Sequence, residues 1–238
     1  MIRWIGYLIV SVSLFANEPD FGKFDGTGVI LDLNSSERIV FGTRADERLT
    51  PCSTFKILNS MIALDHKVVR DENETLAWDG VIREYPVWNR DHSMRSAITV
   101  SAVWFYQEMA QRIGKTRMQE MVLRVNYGNT DTSDTLTDFW LSNGSLKISA
   151  NEQVDFIAKL IQNDVPFSPR SISTIKDIIT LDKKQDYTFA GKTGSCGEVG
   201  WFVGYLEENN TKKVFAFNIK GKNASGAEAK RILLEYLQ

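Results

Sequence analysis

The sequence has 238 residues, of which 43% are hydrophobic and 11% aromatic, which is enough to fold one large domain around a sizeable core. Its 28 basic residues are outnumbered by 30 acidic ones, giving a formal net charge of -2. This balance, without a basic cluster, argues against a nucleic-acid partner and favours a small-molecule ligand.

The N-terminal segment has the composition of a secretory signal peptide. Arg3 is the only charged residue among residues 1–16, the stretch from Trp4 to Phe15 is almost entirely apolar, and Ala16 precedes a polar run. The apolar stretch is shorter than the ~20 residues that a membrane-spanning helix needs, which disfavours a membrane anchor. We therefore expect cleavage after Ala16 and export to the periplasm, without stable membrane insertion.

The mature chain begins with a predicted β-hairpin, because β-rich stretches at 27–33 and 37–41 flank a short turn. Residues 51–181 are mostly helical in pattern, with the clearest helices at 97–113, 117–125 and 150–162. Strands are expected again at 187–192, 199–206 and 213–219, before a final helix that begins with a capping box of Ser225 and Glu228.

This arrangement predicts a mixed α/β fold in a single domain, residues 17–238. Strands from both chain ends, in the regions 17–50 and 182–238, would form one antiparallel sheet flanked by helices. The helical region 51–181 would be inserted between them. A functional site would then lie where the sheet meets the inserted helices.

The most informative stretch is the start of the first apolar helix. Ser53 and Lys56 lie three positions apart, so their side chains rise from the same face. Pro51 suits the first helical position, with Thr50 as the N-cap. A serine nucleophile needs a neighbouring base, and a lysine in apolar surroundings loses its proton readily. The ordinary alternative is a capping serine beside a lysine that extends to solvent.

Three later tripeptides could belong to the same site. They are Ser101-Ala102-Val103 within the helix that begins near Ala97, Tyr127-Gly128-Asn129 at a helix end, and Lys192-Thr193-Gly194 at the end of a strand. Each has an ordinary structural explanation when taken alone: a helical serine bonded to its backbone, a turn, and an edge-strand lysine.

Together with Ser53-Thr54-Phe55-Lys56, these tripeptides resemble the ordered motifs of the class D, oxacillinase-type serine β-lactamases. Segments around Trp88, Trp140 and Trp201 also resemble that family, and the resemblance extends from about Thr27 to the C-terminus. It implies a fold like that of penicillin-binding proteins and serine β-lactamases. It also implies hydrolysis of the β-lactam ring of penicillins, and hence antibiotic resistance.

The resemblance also implies roles for individual residues. Ser53 would form an acyl-enzyme, and Lys56 would be its general base after carboxylation by CO2 or bicarbonate, with no other cofactor and no metal. Ser101 would relay a proton to the leaving nitrogen, and the Trp140 indole would donate a hydrogen bond to the carbamate. An apolar wall would keep the lysine neutral; it comprises Phe55, Val103 and Leu141.

The substrate would lie against the Lys192 strand. The backbone N–H groups of Ser53 and Ser195 would form the oxyanion hole, where the identity of the side chain does not matter. Lys192 and Thr193 would meet the substrate carboxylate, and Trp88 would form a wall of the cleft. The full substrate-binding set is Trp88, Val103, Tyr127, Asn129, Leu141, Lys192, Thr193, Gly194, Ser195 and Lys230.

One position departs from the family. An arginine usually binds the carboxylate just before the last helix, and an ungapped count from Phe217 places Lys230 there. A loop one residue longer or shorter would give Arg231 or Ala229 instead. Lysine binds a carboxylate as a point charge, whereas arginine offers a planar fork.

The two cysteines are expected to pair. In the resembled fold, the residue before the nucleophile and the end of the Lys192 strand are neighbours, so Cys52 and Cys196 would form a disulfide across the active-site floor. Two buried free thiols are the alternative.

Other functions stay open as rivals. A penicillin sensor and a D,D-transpeptidase share the acylation chemistry but would not turn over; the sensor also needs transmembrane helices, which we do not expect here. A non-catalytic module would not need both Ser53 and Lys56. Zinc is disfavoured because His66 and His92 lack metal-ligand spacing. The protein is expected to be a monomer or a homodimer.

Overall fold

Strands from both ends of the chain meet in one sheet in the computed structural model, which describes residues 18–238. The predicted signal peptide, residues 1–16, lies outside the described residues. The strands are β1 (Asp25–Asp32), β2 (Arg38–Phe41), β3 (Thr75–Leu76), β4 (His92–Ser93), β5 (Thr180–Lys184), β6 (Tyr187–Cys196), β7 (Val199–Glu208) and β8 (Thr211–Lys220). The helices are α1 (Lys56–Asp65), α2 (Met94–Val100), α3 (Val103–Ile113), α4 (Lys115–Val125), α5 (Ala150–Gln162), α6 (Pro169–Ile178) and α7 (Gly226–Tyr236).

The central sheet is antiparallel, with the strand order β2-β1-β8-β7-β6-β5. The N-terminal hairpin joins the C-terminal strands through β1 and β8, where Gly28 lies opposite Phe217. The predicted fold class is therefore confirmed. The β7–β8 turn is tighter than expected: Asn209 and Asn210 both have positive φ angles, of 48° and 67°, which asparagine tolerates in two-residue hairpins.

Alternating side chains cover the two faces of the sheet. Phe202, Phe215 and Phe217 are buried on the face that α7 covers. Their neighbours Trp201 and Val203 belong to the larger core on the opposite face, which includes the inserted helices. Successive side chains of a strand point to opposite faces of the sheet, so each of these strands contributes to both cores.

The predicted central helix is confirmed as α1, in which Ile57, Leu58, Met61 and Ile62 are fully buried. It begins differently from the prediction. A 3-10 turn over Cys52–Phe55 precedes it, and Cys52 has a φ angle of 52°, in the left-handed region. This turn brings the nucleophile motif against the end of β6.

One helix prediction is wrong, and one strand was not predicted. The helix expected over 97–113 is two helices, because Ser101 adopts left-handed φ and ψ angles of 59° and 35° and ends α2. Sequence patterns missed this break because no glycine or proline marks it. Strand β5 was also missed: it is an edge strand with mostly exposed side chains, so it lacks an apolar alternation.

Within residues 18–238, no helix is both long enough and apolar enough to cross a membrane.

Candidate active site

The centre of the site is the pair formed by Ser53 and Lys56. The 3-10 turn and the first turn of α1 place Lys56 Nζ 2.5 Å from Ser53 Oγ. The lysine side chain is fully buried, and Ser53 is 8% exposed. Burial, together with the nearby charge of Lys192, lowers the pKa of Lys56 well below its ordinary value. Both effects favour the neutral amine, which can accept the serine proton.

Ser101 reaches the same amine from the turn between α2 and α3. Its left-handed backbone turns the chain sharply, and Ser101 Oγ lies 3.3 Å from Lys56 Nζ. Two hydroxyls from separate elements thus converge on one buried nitrogen. This arrangement can pass a proton between Ser53, Lys56 and Ser101.

The end of β6 forms the facing wall. Pairing with β5 stops at Ala190, so the later residues of β6 have an open edge on that side. Lys192 is 5% exposed and its ammonium donates to the Thr193 carbonyl at 3.0 Å. Burial lowers the pKa of Lys192 to about 8. Below that pH, Lys192 is a cation suited to a substrate carboxylate.

A disulfide joins this wall to the nucleophile turn, as the resemblance implied. Cys52 and Cys196 are bonded, with their Cα atoms 5.7 Å apart. Gly194 also lies against this turn, because a Cβ added there would be 2.9 Å from the Pro51 carbonyl oxygen. Only glycine permits so close an approach.

Ser195 is held by its side chain as well as by the sheet. Its Oγ accepts the Gly226 N–H at 2.8 Å, at the start of α7. In the β6–β7 ladder Ser195 lies opposite Gly200. The resemblance implied only a backbone donor at Ser195, and the structure adds a side-chain contact that fixes its position.

The apolar wall around Lys56 is aromatic. Trp140 is fully buried and stacks on Phe55, with 5.4 Å between ring centroids. Leu141 is partly buried against the same core, and Val103 begins α3 directly after the Ser101 turn. Among residues 18–238, the Trp140 indole nitrogen finds no hydrogen-bond partner. A buried unpaired donor is costly, so an acceptor that completes this site would be stabilised.

Tyr127 and Asn129 lie behind the nucleophile. Tyr127 is 1% exposed, meets Phe55 edge-on at 5.7 Å, and its hydroxyl donates to Gln153 Oε1. Asn129 accepts the Lys147 N–H and donates to the Ser145 carbonyl, both at 2.9 Å. Tyr127 thus packs against Phe55 and α5, and Asn129 holds the loop of residues 139–148 that contains Trp140 (the Trp140 loop). A direct substrate contact for either residue stays a prediction.

Two supporting residues were not predicted from the sequence. Gln153 Nε2 donates to Thr54 Oγ1 at 2.8 Å, and Lys147 Nζ donates to Thr50 Oγ1 at 2.5 Å. Both bonds fasten the nucleophile turn. The only sequence signal was Gln153 itself, a polar residue on the buried face of α5.

Lys230, rather than Arg231, lines a cavity beside Lys192 and Thr193. A cavity of about 340 Å³ beside β6 is lined by Lys192, Thr193 and Lys230, and Lys230 Nζ lies 5.7 Å from the centre of the Phe202 ring. Arg231 instead bonds to Glu228 and Glu235 on the exposed side of α7. Lys230 is therefore the one of the two that lies beside Lys192 and Thr193, and its contact with a substrate carboxylate stays a prediction.

Trp88 lies beside the Ser101 turn. Its indole N–H donates to the Val100 carbonyl at 2.9 Å, and its ring pairs with Tyr85 at 4.7 Å. Trp88 is partly buried against the main core. It is thus close to the cleft, as expected of a wall residue, and also bonded to the catalytic turn.

Comparisons with known proteins agree with this geometry. The family described as penicillin binding protein transpeptidase domain matches residues 15–238. The probable β-lactamase YbxI of Bacillus subtilis (strain 168) is 38% identical over 234 residues, covering 96% of this chain and 86% of that protein. The solved structure of the class D β-lactamase BAT-2 is 41% identical, with a TM-score of 0.86 and 90% coverage of each chain.

One relative is named as a regulatory protein and not as a β-lactamase: the regulatory protein BlaR1 of Bacillus licheniformis. It is 33% identical over 226 residues, which cover 91% of this chain but 37% of that protein. The matches that cover most of both partners are β-lactamases. The chain therefore belongs to the class D β-lactamases, within the penicillin-binding-protein transpeptidase family.

Proposed function

We propose that this β-lactamase hydrolyses penicillins through an acyl-enzyme on Ser53, with carboxylated Lys56 as the general base. The observation that carries the proposal is a fully buried lysine 2.5 Å from the serine hydroxyl. The residue before it, Phe55, stacks on Trp140, whose buried indole nitrogen has no partner among the described residues. A charged ammonium would be poorly stabilised there.

Acylation begins at Ser53. As its Oγ attacks the β-lactam carbonyl carbon, the hydroxyl proton passes to the base on Lys56, and the C–N bond of the ring then breaks. The backbone N–H groups of Ser53 and Ser195 stabilise the developing oxyanion. Ser101, 3.3 Å from Lys56 Nζ, delivers the proton to the leaving nitrogen.

Deacylation needs a base that can act on water. A carbamate on Lys56 would supply a carboxylate oxygen as that base, and the residues of the site fit it. The neutral amine required for CO2 addition is favoured by burial, and the Trp140 N–H is available to hold the added group. During both steps the substrate carboxylate would be bound by Lys192, Thr193 and Lys230.

Turnover tests the hydrolytic proposal. The wild-type protein should hydrolyse a chromogenic β-lactam and benzylpenicillin, and Ser53→Ala should abolish both activities. Ser60→Ala is the matched control, because Ser60 lies in the same helix and bonds to Tyr106 instead. Equal hydrolysis by wild type and Ser53→Ala would overturn the proposal.

Carboxylation of Lys56 can be measured directly by 13C NMR. After equilibration with 13C-bicarbonate, the wild type should show a carbamate carbon signal that Lys56→Ala lacks. Trp140→Phe keeps the stacking on Phe55 but removes the donor, so it should weaken the signal and slow deacylation. A wild type without the signal, and with activity indifferent to bicarbonate, would contradict this part of the proposal.

The second candidate function is a β-lactam sensor, and the observation in its favour is that one relative is named a regulatory protein. A sensor, like a D,D-transpeptidase, would be acylated by penicillin and then stay acylated. The hydrolase proposal requires release of product and recovery of the free enzyme. Intact-mass measurement after substrate is consumed separates these outcomes.

We also infer export to the periplasm. The support is the predicted signal peptide at residues 1–16 and the paired cysteines Cys52 and Cys196, since disulfides persist in oxidising compartments. Mass spectrometry of the protein recovered from the periplasm tests this, with a mature N-terminus at Asn17 expected. Recovery of the full-length chain in the cytoplasm would contradict it.

A further inference from the structure

The turn that carries Ser101 has an uncommon backbone conformation. Ser101 is a non-glycine residue in the left-handed region, between α2 and α3. L-residues adopt this conformation only where the surroundings enforce it. Within the turn, the Ala102 N–H bonds to the Ala97 carbonyl at 2.9 Å, which closes α2 without fixing where α3 begins. Something outside the turn must hold the two helices together.

Trp88 contacts both helices. Its indole N–H donates to the carbonyl of Val100, the residue before Ser101, at 2.9 Å. Its own carbonyl accepts the indole N–H of Trp104, the second residue of α3, at 2.7 Å. Trp88 therefore connects the last residue of α2 to the first turn of α3, across Ser101.

His92 fixes this bridge from behind. The ring is 1% exposed, and its Nε2–H donates to the Val87 carbonyl at 3.0 Å, next to Trp88. Its Nδ1 lies 2.9 Å from the Ser96 hydroxyl, which belongs to the capping box of α2. The loop is also closed on itself, because the Asn89 amide bonds to both backbone groups of Arg83.

We propose that Trp88 is a positioning residue for the reaction, which holds the strained Ser101 turn so that Ser101 Oγ stays within reach of Lys56 Nζ. His92 supports it through the Val87 carbonyl. This role differs from that of a cleft wall, since it requires the indole N–H and not merely an apolar ring. The inference rests on the proposed role of Ser101 as proton relay.

The decisive variant is Trp88→Phe, which keeps an aromatic ring beside the cleft but removes the N–H. A displacement of a reacting group by ~1 Å can lower the rate by up to ~100-fold. We therefore expect kcat for a penicillin to fall on the order of 10-fold. KM should change by less than about 2-fold, because the substrate contacts stay. Trp78→Phe is the matched control: it loses a similar indole–carbonyl bond, to Val81, within the same loop.

A double-mutant cycle with Ser101→Ala separates the possible roles. If Trp88 acts through Ser101, adding Trp88→Phe to Ser101→Ala should cost no further kcat. Independent, multiplicative losses, or a Trp88→Phe variant with normal kcat and a raised KM, would overturn the inference. A Ser101→Ala variant with unchanged kcat would instead refute the proposed function of Ser101.

Folding is checked by the melting temperature of each variant. If Trp88→Phe does not fold, Trp104→Phe takes its place, because it releases the other end of the same bridge. It should lower kcat with little change in KM and add no loss to Ser101→Ala. A Trp104→Phe variant with wild-type kcat would count against the bridge.

Discussion

The bond between Cys52 and Cys196 gives the sharpest stability prediction. It closes a loop with a sequence separation of 144 residues. The chain-entropy relation for such a loop gives about 5 kcal/mol at 25 °C as the stabilisation from restricting the unfolded chain. This is an upper figure, because unfolded chains retain some structure. The variant with both cysteines replaced by alanine should therefore lose between about 2 and 5 kcal/mol in the free energy of unfolding.

Urea unfolding at equilibrium measures this loss. Reduced wild type is the matched control, because it keeps both sulfur atoms, including that of the fully buried Cys52, and lacks only the covalent bond. Removal of the cross-link should also increase the slope of unfolding free energy against urea, since the unfolded chain expands. A loss below about 1 kcal/mol in both samples would refute the reasoning.

Three further predictions concern the cleft and its support. The profile of kcat/KM against pH should be bell-shaped. Activity should fall at acid pH because Lys56 gains a proton and can no longer form the carbamate, and added bicarbonate should restore it there. Activity should also fall above about pH 8 because Lys192 loses its charge. An unchanged rate from pH 5 to 10 would be inconsistent with both pKa shifts. Lys230→Ala should raise KM several-fold in a steady-state assay, because a contact with the substrate carboxylate is lost. Arg231→Ala, on the exposed face of α7, should leave KM unchanged. Equal effects of the two substitutions would exclude Lys230 as the carboxylate-binding residue. Asn129→Ala should cost about 2 kcal/mol in thermal unfolding, because two side-chain bonds to the Trp140 loop are lost, and a variant as stable as wild type would show that these bonds are dispensable.

The sequence was sufficient for five of the six strands of the central sheet, for the helix α1 and for the pairing of Ser53 with Lys56. Strands β6 to β8 follow from buried apolar runs separated by turn residues, and α1 follows from its largely apolar sequence. Ser53 and Lys56 could be paired because helical spacing alone fixes their relative position. Local periodicity is a strong signal where burial is extensive.

Other features depend on contacts between distant residues. Ser101 adopts the left-handed conformation although it is not a glycine, because Trp88 and Trp104 hold the turn through their hydrogen bonds. No local sequence pattern indicates these bonds. Gln153 and Lys147 reach the nucleophile turn from positions about 100 residues away in sequence. The choice between Lys230 and Arg231 depended on which face of α7 packs on the sheet.

The central claim is that Ser53 forms an acyl-enzyme that is then hydrolysed. The most direct test follows the intact mass of the protein during and after steady-state hydrolysis of benzylpenicillin, with product measured in the same sample. We predict a transient mass increase equal to one penicillin, many product molecules per enzyme, and return to the free mass once substrate is consumed. A stable adduct with no turnover, or full turnover by Ser53→Ala, would contradict the account.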